Sequence, residues 1–209
     1  MSDDALSRPA TSARTALYRN VLMTWAGLFL AAFPSIAAAD GEYWGVDVSD
    51  STHSGVLAAT RGTWNFGAGY TDYGDGVSAN LSLTRQLPID LGIEGLNLTA
   101  GPALGFGGGD LSEVELGLNL GASRYIPTNF GAIFLQASAS TNRRNFFLQA
   151  QITLSDPGVT FSVSRGGSLD YDETAVTVSK ELGDGPVSLR TGYRFVAEEF
   201  FVGFSVNTF

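Results

Sequence analysis

The sequence predicts an all-β protein, a closed antiparallel up-and-down transmembrane β-barrel of about twelve strands. The first observation behind this prediction is an alternation of apolar and polar residues in segments of about ten residues, which is the pattern of a strand with two different surroundings. In the segment EVELGLNLGAS, residues 113–123, valine and leucine occupy one face, and glutamate, glycine and asparagine occupy the other. The mature chain shows no comparable helical period.

The polar faces and the aromatic residues distinguish a membrane barrel from a soluble sandwich. A sandwich exposes its polar face to water, where Lys and Glu are frequent and Gly is costly. Here the polar faces consist mainly of Gly, Ser, Thr, Asn and Gln, which suit a narrow lumen. Aromatic residues near strand ends are typical of interfacial girdles, although aromatics favour strands in any setting. They are Tyr43, Trp44, Trp64, Tyr70, Tyr73, Tyr125, Phe130, Tyr171 and Tyr193.

Turn residues divide the alternating region into twelve predicted strands. They span 42–49, 55–61, 63–72, 76–86, 95–106, 111–123, 129–140, 144–155, 158–166, 171–181, 186–196 and 198–209. An even number places both termini on one side of the membrane, as in single-chain barrels. Residues 55–61, GVLAATR, alternate poorly, and ten strands are an alternative; eight would require longer loops or strands than the turn residues indicate.

The first 39 residues predict a secretory signal peptide. Three arginines precede the uncharged run VLMTWAGLFLAAFPSIAAA, residues 21–39, which ends in small residues before Asp40. A single transmembrane anchor is the alternative, since the run is nearly long enough to span a bilayer. Pro34 and the alanine-rich ending favour cleavage, so residues 40–209 form the predicted barrel.

Composition excludes several classes of function. Lys180 is the only lysine after residue 39, and the whole chain carries a net charge of −9, so the sequence offers no cationic stripe for nucleic acid. The chain has no cysteine, which excludes disulfides, thiol nucleophiles and thiolate metal sites. No motif indicates a cofactor.

A signal peptide, alternating strands of about ten residues and a last strand that ends on Phe209 together resemble a bacterial outer-membrane β-barrel protein. The resemblance is to an architecture, and it implies a Gram-negative outer membrane with its lipid and lipopolysaccharide as surroundings. It also implies that Phe209 belongs to a C-terminal signal read by the barrel-assembly machinery. Strand alternation places Phe209 with the lumen residues, so we expect either a bulge near Asn207 that turns it outward or a role in assembly.

The resemblance places the C-terminus on the periplasmic side and makes all outer loops short, which counts against receptors and plugged transporters. Two longer connections, QLPIDLGIEG (86–95) and SRYIPTN (123–129), then fall on the periplasmic side. Arg143 and Arg144 lie at a predicted outer loop tip, where paired guanidinium groups could contact lipopolysaccharide phosphates. Plain solvent-exposed arginines are the alternative.

Three segments carry residues that could support catalysis or ligand binding. His53, the only histidine, lies beside Asp50, Ser51 and Ser54, and a lipid hydrolase could use such a set, although a polar turn is the simpler interpretation. GPALGFGGGD, residues 101–110, lacks the Lys-Ser/Thr of a phosphate loop and predicts a strand and hairpin instead. DYDE, residues 170–173, could bind a divalent cation, but a solvated loop is simpler.

The lumen is the remaining candidate site. Six charged residues are predicted to face inward as selectivity groups, namely Asp47, Glu113, Glu115, Arg190, Arg194 and Glu199. Six amides join them: Asn65, Asn80, Asn97, Asn119, Gln149 and Gln151. Opposed charges in a small barrel either close the lumen or form a selective constriction.

These predictions leave three candidate functions. The first is a passive pore or transporter for small solutes or hydrophobic molecules. The second is a closed structural or interaction barrel of the envelope, and a lipid-modifying enzyme is third.

Overall fold

The computed structural model describes residues 40–169 and 171–209. The predicted signal peptide, residues 1–39, lies outside the described residues and stays a prediction. The described part contains twelve β-strands and one short 3₁₀ turn, Asn142–Arg144. The strands are β1 Gly41–Val48, β2 His53–Arg61, β3 Trp64–Asp72, β4 Val77–Gln86, β5 Leu96–Gly107, β6 Glu113–Thr128, β7 Gly131–Ser140, β8 Phe146–Leu154, β9 Val159–Gly167, β10 Asp172–Glu181, β11 Val187–Arg194 and β12 Glu199–Asn207.

The strands form a closed antiparallel barrel. Each strand pairs with its neighbours in the chain, and β12 pairs with β1 to close the ring, with Tyr43 opposite Asn207. This confirms the predicted fold class and the count of twelve. It includes β2, whose weak alternation had left ten strands open, and which pairs along its whole length with β1 and β3.

The outer face of the barrel is apolar. On β6 the outward residues Leu116 and Leu118 are 77% and 62% exposed, and on β12 Phe200 is 77% exposed. Phe201, the next residue, faces inward and is 3% exposed. Large apolar side chains are exposed in this way on most of the strands, and such a contiguous apolar band is typical of a surface that faces lipid. Within the described residues no helix is both long and apolar enough to cross a membrane.

The two ends of the barrel differ. We call the end where β1 begins and β12 finishes the terminus end, and the opposite end the mouth. The connections at the mouth are short, and they span residues 49–52, 73–76, 108–112, 141–145, 168–171 and 195–198. At the terminus end the connection 87–95 is long, as predicted. A ring of twelve strands about 4.8 Å apart and tilted by about 40° is about 24 Å across between opposite Cα atoms.

The second long connection expected at the terminus end, residues 123–129, is instead strand. β6 continues to Thr128, and β7 begins at Gly131 after a tight turn. Ile126 lies opposite Ile133 and Pro127 opposite Ala132. The apolar pairing continues the ladder past Pro127, which lies close enough to the strand end for the ladder to tolerate it.

The aromatic residues divide between the faces. Trp44 and Trp64 lie on the outer face near the terminus end, and Tyr70 and Tyr193 lie on it near the mouth, as the register of their strands requires. These four fit the predicted girdles. Tyr43 does not, since it occupies an inward position on β1 and its hydroxyl accepts a hydrogen bond from Arg190 inside the barrel.

Candidate functional site: the barrel lumen

The inner wall from β3 to β9 is lined mainly by glycine and small polar residues, with Phe134 and Phe147 also at inward positions. Residues opposite each other in adjacent strands share a face, and the register aligns Gly67 with Ser82 and Gln151 with Ser162. Hydrogen bonds run along this wall, from Thr60 to Asn65 at 2.8 Å and between the hydroxyl groups of Thr153 and Thr160 at 3.1 Å. The predicted inward amides all occupy inward positions in this register. Most of these residues are partly exposed, so water reaches them.

A buried ionic cluster joins β11, β12 and the turn after β1. Arg194 Nη1 lies 3.3 Å from Glu199 Oε1, and the two side chains are 5% and 9% exposed. Arg194 also donates to the Ser54 hydroxyl at 3.0 Å and to the Thr52 carbonyl at 3.3 Å. Its guanidinium lies 4.8 Å from the Phe201 ring centroid. Arg194 is therefore fixed by charge, hydrogen bonds and a ring face together.

A second ionic pair lies nearer the terminus end, because Arg190 precedes Arg194 by four residues on the same face of β11. Arg190 Nη2 is 3.1 Å from Asp47 Oδ2, and Arg190 also donates to the Tyr43 hydroxyl. Gly203 makes room for this pair, because a Cβ there would lie 2.3 Å from Asp47 Oδ1. The sequence had placed Asp47, Arg190, Arg194 and Glu199 in the lumen without pairing Arg190 with Asp47. The structure brings the four into two adjacent pairs.

The connection between β7 and β8 folds into the barrel. Asn142 and Arg143 are 2% and 4% exposed. Arg143 Nη1 lies 2.8 Å from Glu113 Oε2, and the backbone N–H of Arg143 donates to Glu115 Oε2 at 2.8 Å. Gly107 admits the guanidinium, since a Cβ there would lie 2.4 Å from it. This inward loop, residues 141–145, narrows the lumen at the mouth.

The buried position of Arg143 corrects one expectation. The sequence predicted Arg143 and Arg144 as an exposed pair at a loop tip. Arg144 alone is exposed, while Arg143 is held by Glu113 and Glu115 on β6. Contact between Arg144 and lipopolysaccharide stays a prediction. Glycines at inward positions of β5 and β6 leave space for this loop, and their pattern in the sequence indicates such space without indicating which residues occupy it.

Two tyrosines meet above the lumen. The rings of Tyr73 and Tyr171 stack with their centroids 5.5 Å apart and their planes 25° apart. Burial, aided by the negative charge of Glu173, raises the pKa of Tyr171 to about 12. Glu173 itself accepts hydrogen bonds from the backbone N–H groups of Val196 and Ala197 at 2.9 and 3.0 Å. Sequence reasoning had assigned both tyrosines to girdles, and the structure places them at the mouth.

A cation site at residues 170–173, which the sequence left as the less simple alternative to a solvated loop, gains no support from the side chains described there. Asp172 faces outward and pairs with Arg165 at 2.8 Å, whereas Glu173 faces inward and binds backbone N–H groups. Strand alternation therefore separates the two carboxylates, and Asp170 lies outside the described residues. In residues 40–169 and 171–209 no group of three or more His, Asp or Glu side chains is arranged to hold a metal ion.

The residues around His53 do not assemble a catalytic set. His53 begins β2 on an outward position and is exposed. Ser54 points inward to Arg194, and the Ser51 hydroxyl donates to Glu199 Oε2 at 2.9 Å.

The prediction of a strand and hairpin for residues 101–110 is confirmed, with β5 running to Gly107 and positive φ at Gly108 and Gly109.

Phe209 ends the chain without a bulge before it. Tyr43 lies opposite Asn207, and the Thr208 N–H donates to the Glu42 carbonyl at 2.9 Å, so the register continues regularly. The Phe209 ring covers Gly41, where a Cβ would lie 2.3 Å from it. The expected bulge near Asn207 is wrong, because Gly41 leaves room for the ring on its own side of the strand.

The chain matches no protein-family model and no curated protein. Among solved structures it is similar to one described as "KdgM porin", with a TM-score of 0.50 and 10% sequence identity. The match covers 79% of this chain and 98% of that chain. The fold is that of a bacterial outer-membrane β-barrel. At this identity the likeness concerns the fold alone.

Proposed function

We propose that the protein is a narrow passive pore for small hydrophilic solutes in the outer membrane. The observation that carries the proposal is the inner wall from β3 to β9, which is small, polar and partly exposed. Such a wall is stable against water and costly against apolar packing. Barrels of eight strands are filled by side chains, whereas twelve strands enclose more space than these short residues occupy.

The charged groups would act on solutes at two levels. Arg143, Glu113 and Glu115 line the narrowed mouth, while Arg190 and Asp47 lie deeper on the opposite wall. Because each arginine is paired with a carboxylate, the lumen offers alternating charges, and we expect weak rather than strong ion selectivity. A polar wall favours hydrophilic over hydrophobic solutes. The porin-type neighbour supports the same kind of function.

A closed structural barrel is the second candidate. The Tyr73–Tyr171 stack and the inward loop favour it, since both obstruct the mouth. For the third hypothesis, a lipid-modifying enzyme, no catalytic set is assembled around His53 in the described residues.

Single-channel recording in planar bilayers tests the proposal. The wild-type protein should produce small, discrete conductance steps, and Arg190→Ala or Glu115→Ala should change their size. Arg165→Ala is the matched control, because Arg165 lies on the outer face with its side chain 53% exposed. Silence from the wild-type protein and all variants, with folded barrels present, would favour the closed barrel.

A further inference from the structure

The outer face carries a band of basic side chains at the terminus end. Its members are Arg61 on β2, Arg85 on β4, Arg124 on β6 and Lys180 on β10. Each lies in the part of its strand nearest the terminus end. The register places each of them outward, since Arg61 and Arg85 lie opposite Trp64, Arg124 opposite Leu96 and Lys180 opposite Leu189. We call these four residues the basic band.

The charged groups of the band extend toward the end of the barrel. Arg124 Nε donates to the Glu94 carbonyl at 3.0 Å, and Lys180 Nζ donates to the Pro157 carbonyl, both in terminus-end connections. The Arg85 guanidinium lies 5.8 Å from the Trp64 ring centroid. Stems of this length cover apolar wall while the charge reaches the depth of the lipid headgroups.

The band has no counterpart at the mouth. Among the outward strand positions described near the terminus end, Glu42 is the one acid, and it pairs with Arg61. Further acids at this end lie in the connections beyond the strands, namely Asp90, Glu94, Asp156 and Asp184. Near the mouth the outward Arg165 is neutralised by Asp172, and Asp72 adds a further negative charge. The outward strand positions are therefore basic near the terminus end and slightly acidic near the mouth.

Both outward tryptophans lie at the same end as the band. Trp44 packs edge-on against Phe204 at 5.5 Å, and Trp64 lies beside Arg85. Indole rings favour the interface between hydrocarbon and headgroups, because they are apolar with one N–H donor. Trp64 lies opposite both Arg61 and Arg85, so its ring marks the depth at which the basic groups meet the headgroups.

We infer that the basic band, with Trp44 and Trp64, binds the phosphate groups of anionic phospholipids such as phosphatidylglycerol in the leaflet at the terminus end. Guanidinium groups hold phosphate oxygens in pairs, and an ammonium group acts as a point charge beside them. Basic residues near an anionic lipid surface each add measurable affinity. The inference rests on the barrel fold and does not require a conducting lumen.

Tryptophan quenching by brominated lipids tests the inference. A Trp25→Phe background leaves Trp44 and Trp64 as the only tryptophans. The protein is reconstituted in vesicles of brominated phosphatidylglycerol with unlabelled phosphatidylcholine, and separately in vesicles of unlabelled phosphatidylglycerol with brominated phosphatidylcholine. The ratio of tryptophan quenching in the two mixtures gives the relative affinity for the two headgroups. The variant carries Arg61→Gln, Arg85→Gln, Arg124→Gln and Lys180→Gln, and Arg165→Gln is the control at the other end.

The wild-type protein and the Arg165→Gln control should prefer phosphatidylglycerol several-fold, and the four-residue variant should bring the ratio close to one. Equal quenching by both lipids in the wild type, an unchanged ratio in the variant, or the same loss in the control would overturn the inference. Heat-modifiable electrophoretic mobility checks that each barrel is folded. If the four-residue variant does not fold, the double variant Arg85→Gln with Lys180→Gln replaces it, because this change breaks no ion pair in the described residues. The double variant should give an intermediate lipid ratio. An unchanged ratio in the double variant would also overturn the inference.

Discussion

The rings of Tyr73 and Tyr171 stack 5.5 Å apart, although their loops follow β3 and β9, which lie on opposite sides of the ring. Two short loops therefore reach over the lumen and meet. The Leu169 N–H donates to the Arg143 carbonyl at 2.9 Å, which joins one of these loops to the inward loop. A small set of contacts between loops therefore narrows the mouth.

Replacing both tyrosines, Tyr73→Ala with Tyr171→Ala, should widen the mouth. We expect single-channel conductance to rise about two-fold or more, because the removed rings lie over the path of any solute. Tyr193→Ala is the control, since Tyr193 also lies near the mouth but on the outer face, opposite Phe200. Equal conductance in the wild type and the double variant would place the limiting constriction elsewhere.

The hydroxyl group of Tyr171 should lose its proton at a higher pH than an ordinary tyrosine does. Because burial favours its neutral form, its pKa rises from 10.0 to about 12. Above pH 10 the unfolded chain loses this proton while the folded chain keeps it, so the free energy of unfolding falls as the pH rises from 10 to 12. Phenolate absorbance measures the effect: Tyr171→Phe should remove one transition near pH 12. Loss of a transition near pH 10 instead would contradict the burial of Tyr171.

Arg194→Ala should destabilise the barrel strongly. The substitution leaves Glu199 without its cation at a site 9% exposed, and it removes the group that covers the Phe201 ring. Breaking a buried pair in this way costs about 3 kcal/mol or more. Urea unfolding in lipid vesicles measures the change.

The exposed pair on the outer face is the control for that change. Arg165→Ala removes a salt bridge whose side chains are 53% and 49% exposed, and we expect a loss of about 1 kcal/mol or less. Similar losses for Arg165→Ala and Arg194→Ala would show that burial of the lumen cluster adds little stability.

Gly192→Ala should destabilise the wall that carries Phe201. A Cβ at Gly192 would lie 2.2 Å from the Val176 carbonyl oxygen and 2.5 Å from the Phe201 ring, so the strand or the ring must move. Overpacking of this kind costs about 1–3 kcal/mol. Gly55→Ala is the matched control, because the nearest atom there would be 3.9 Å away. Unfolding midpoints should fall for the first variant alone.

The strands could be predicted from the sequence because membrane and lumen impose opposite demands on alternate residues. Leu116 and Leu118 alternate with Glu115 and Gly117, and the structure places them on opposite faces. The strand end was predicted less well: the sequence placed residues 123–129 in a connection, whereas Pro127 lies within β6 near the strand end, where the ladder tolerates it.

The arrangement of the site was predicted only in part, because its contacts join residues that are distant in the chain. Alternation assigned Asp47 and Arg190 to the lumen, but their pairing depends on the closure of β12 onto β1. The inward fold of Arg143 depends on glycines of two other strands. No local pattern indicates that Tyr73 would meet Tyr171.

Deleting Phe209 should separate its role in assembly from its role in stability. The ring is 65% exposed and lies over Gly41, so its loss removes little buried surface. We expect the deletion variant, refolded from urea into detergent, to unfold within about 1 kcal/mol of the wild type. In cells the same variant should reach the outer membrane at a much lower level, if the assembly machinery reads the terminal aromatic residue.

Gly41→Val gives the matched comparison for Phe209. A side chain at residue 41 displaces the ring from its position but keeps the aromatic residue at the end of the chain. Recognition during assembly predicts normal membrane levels for Gly41→Val and low levels for the deletion. If both variants lose membrane level equally, the contact between Phe209 and Gly41, rather than the terminal residue as a signal, carries the effect. Normal levels for both would exclude either role.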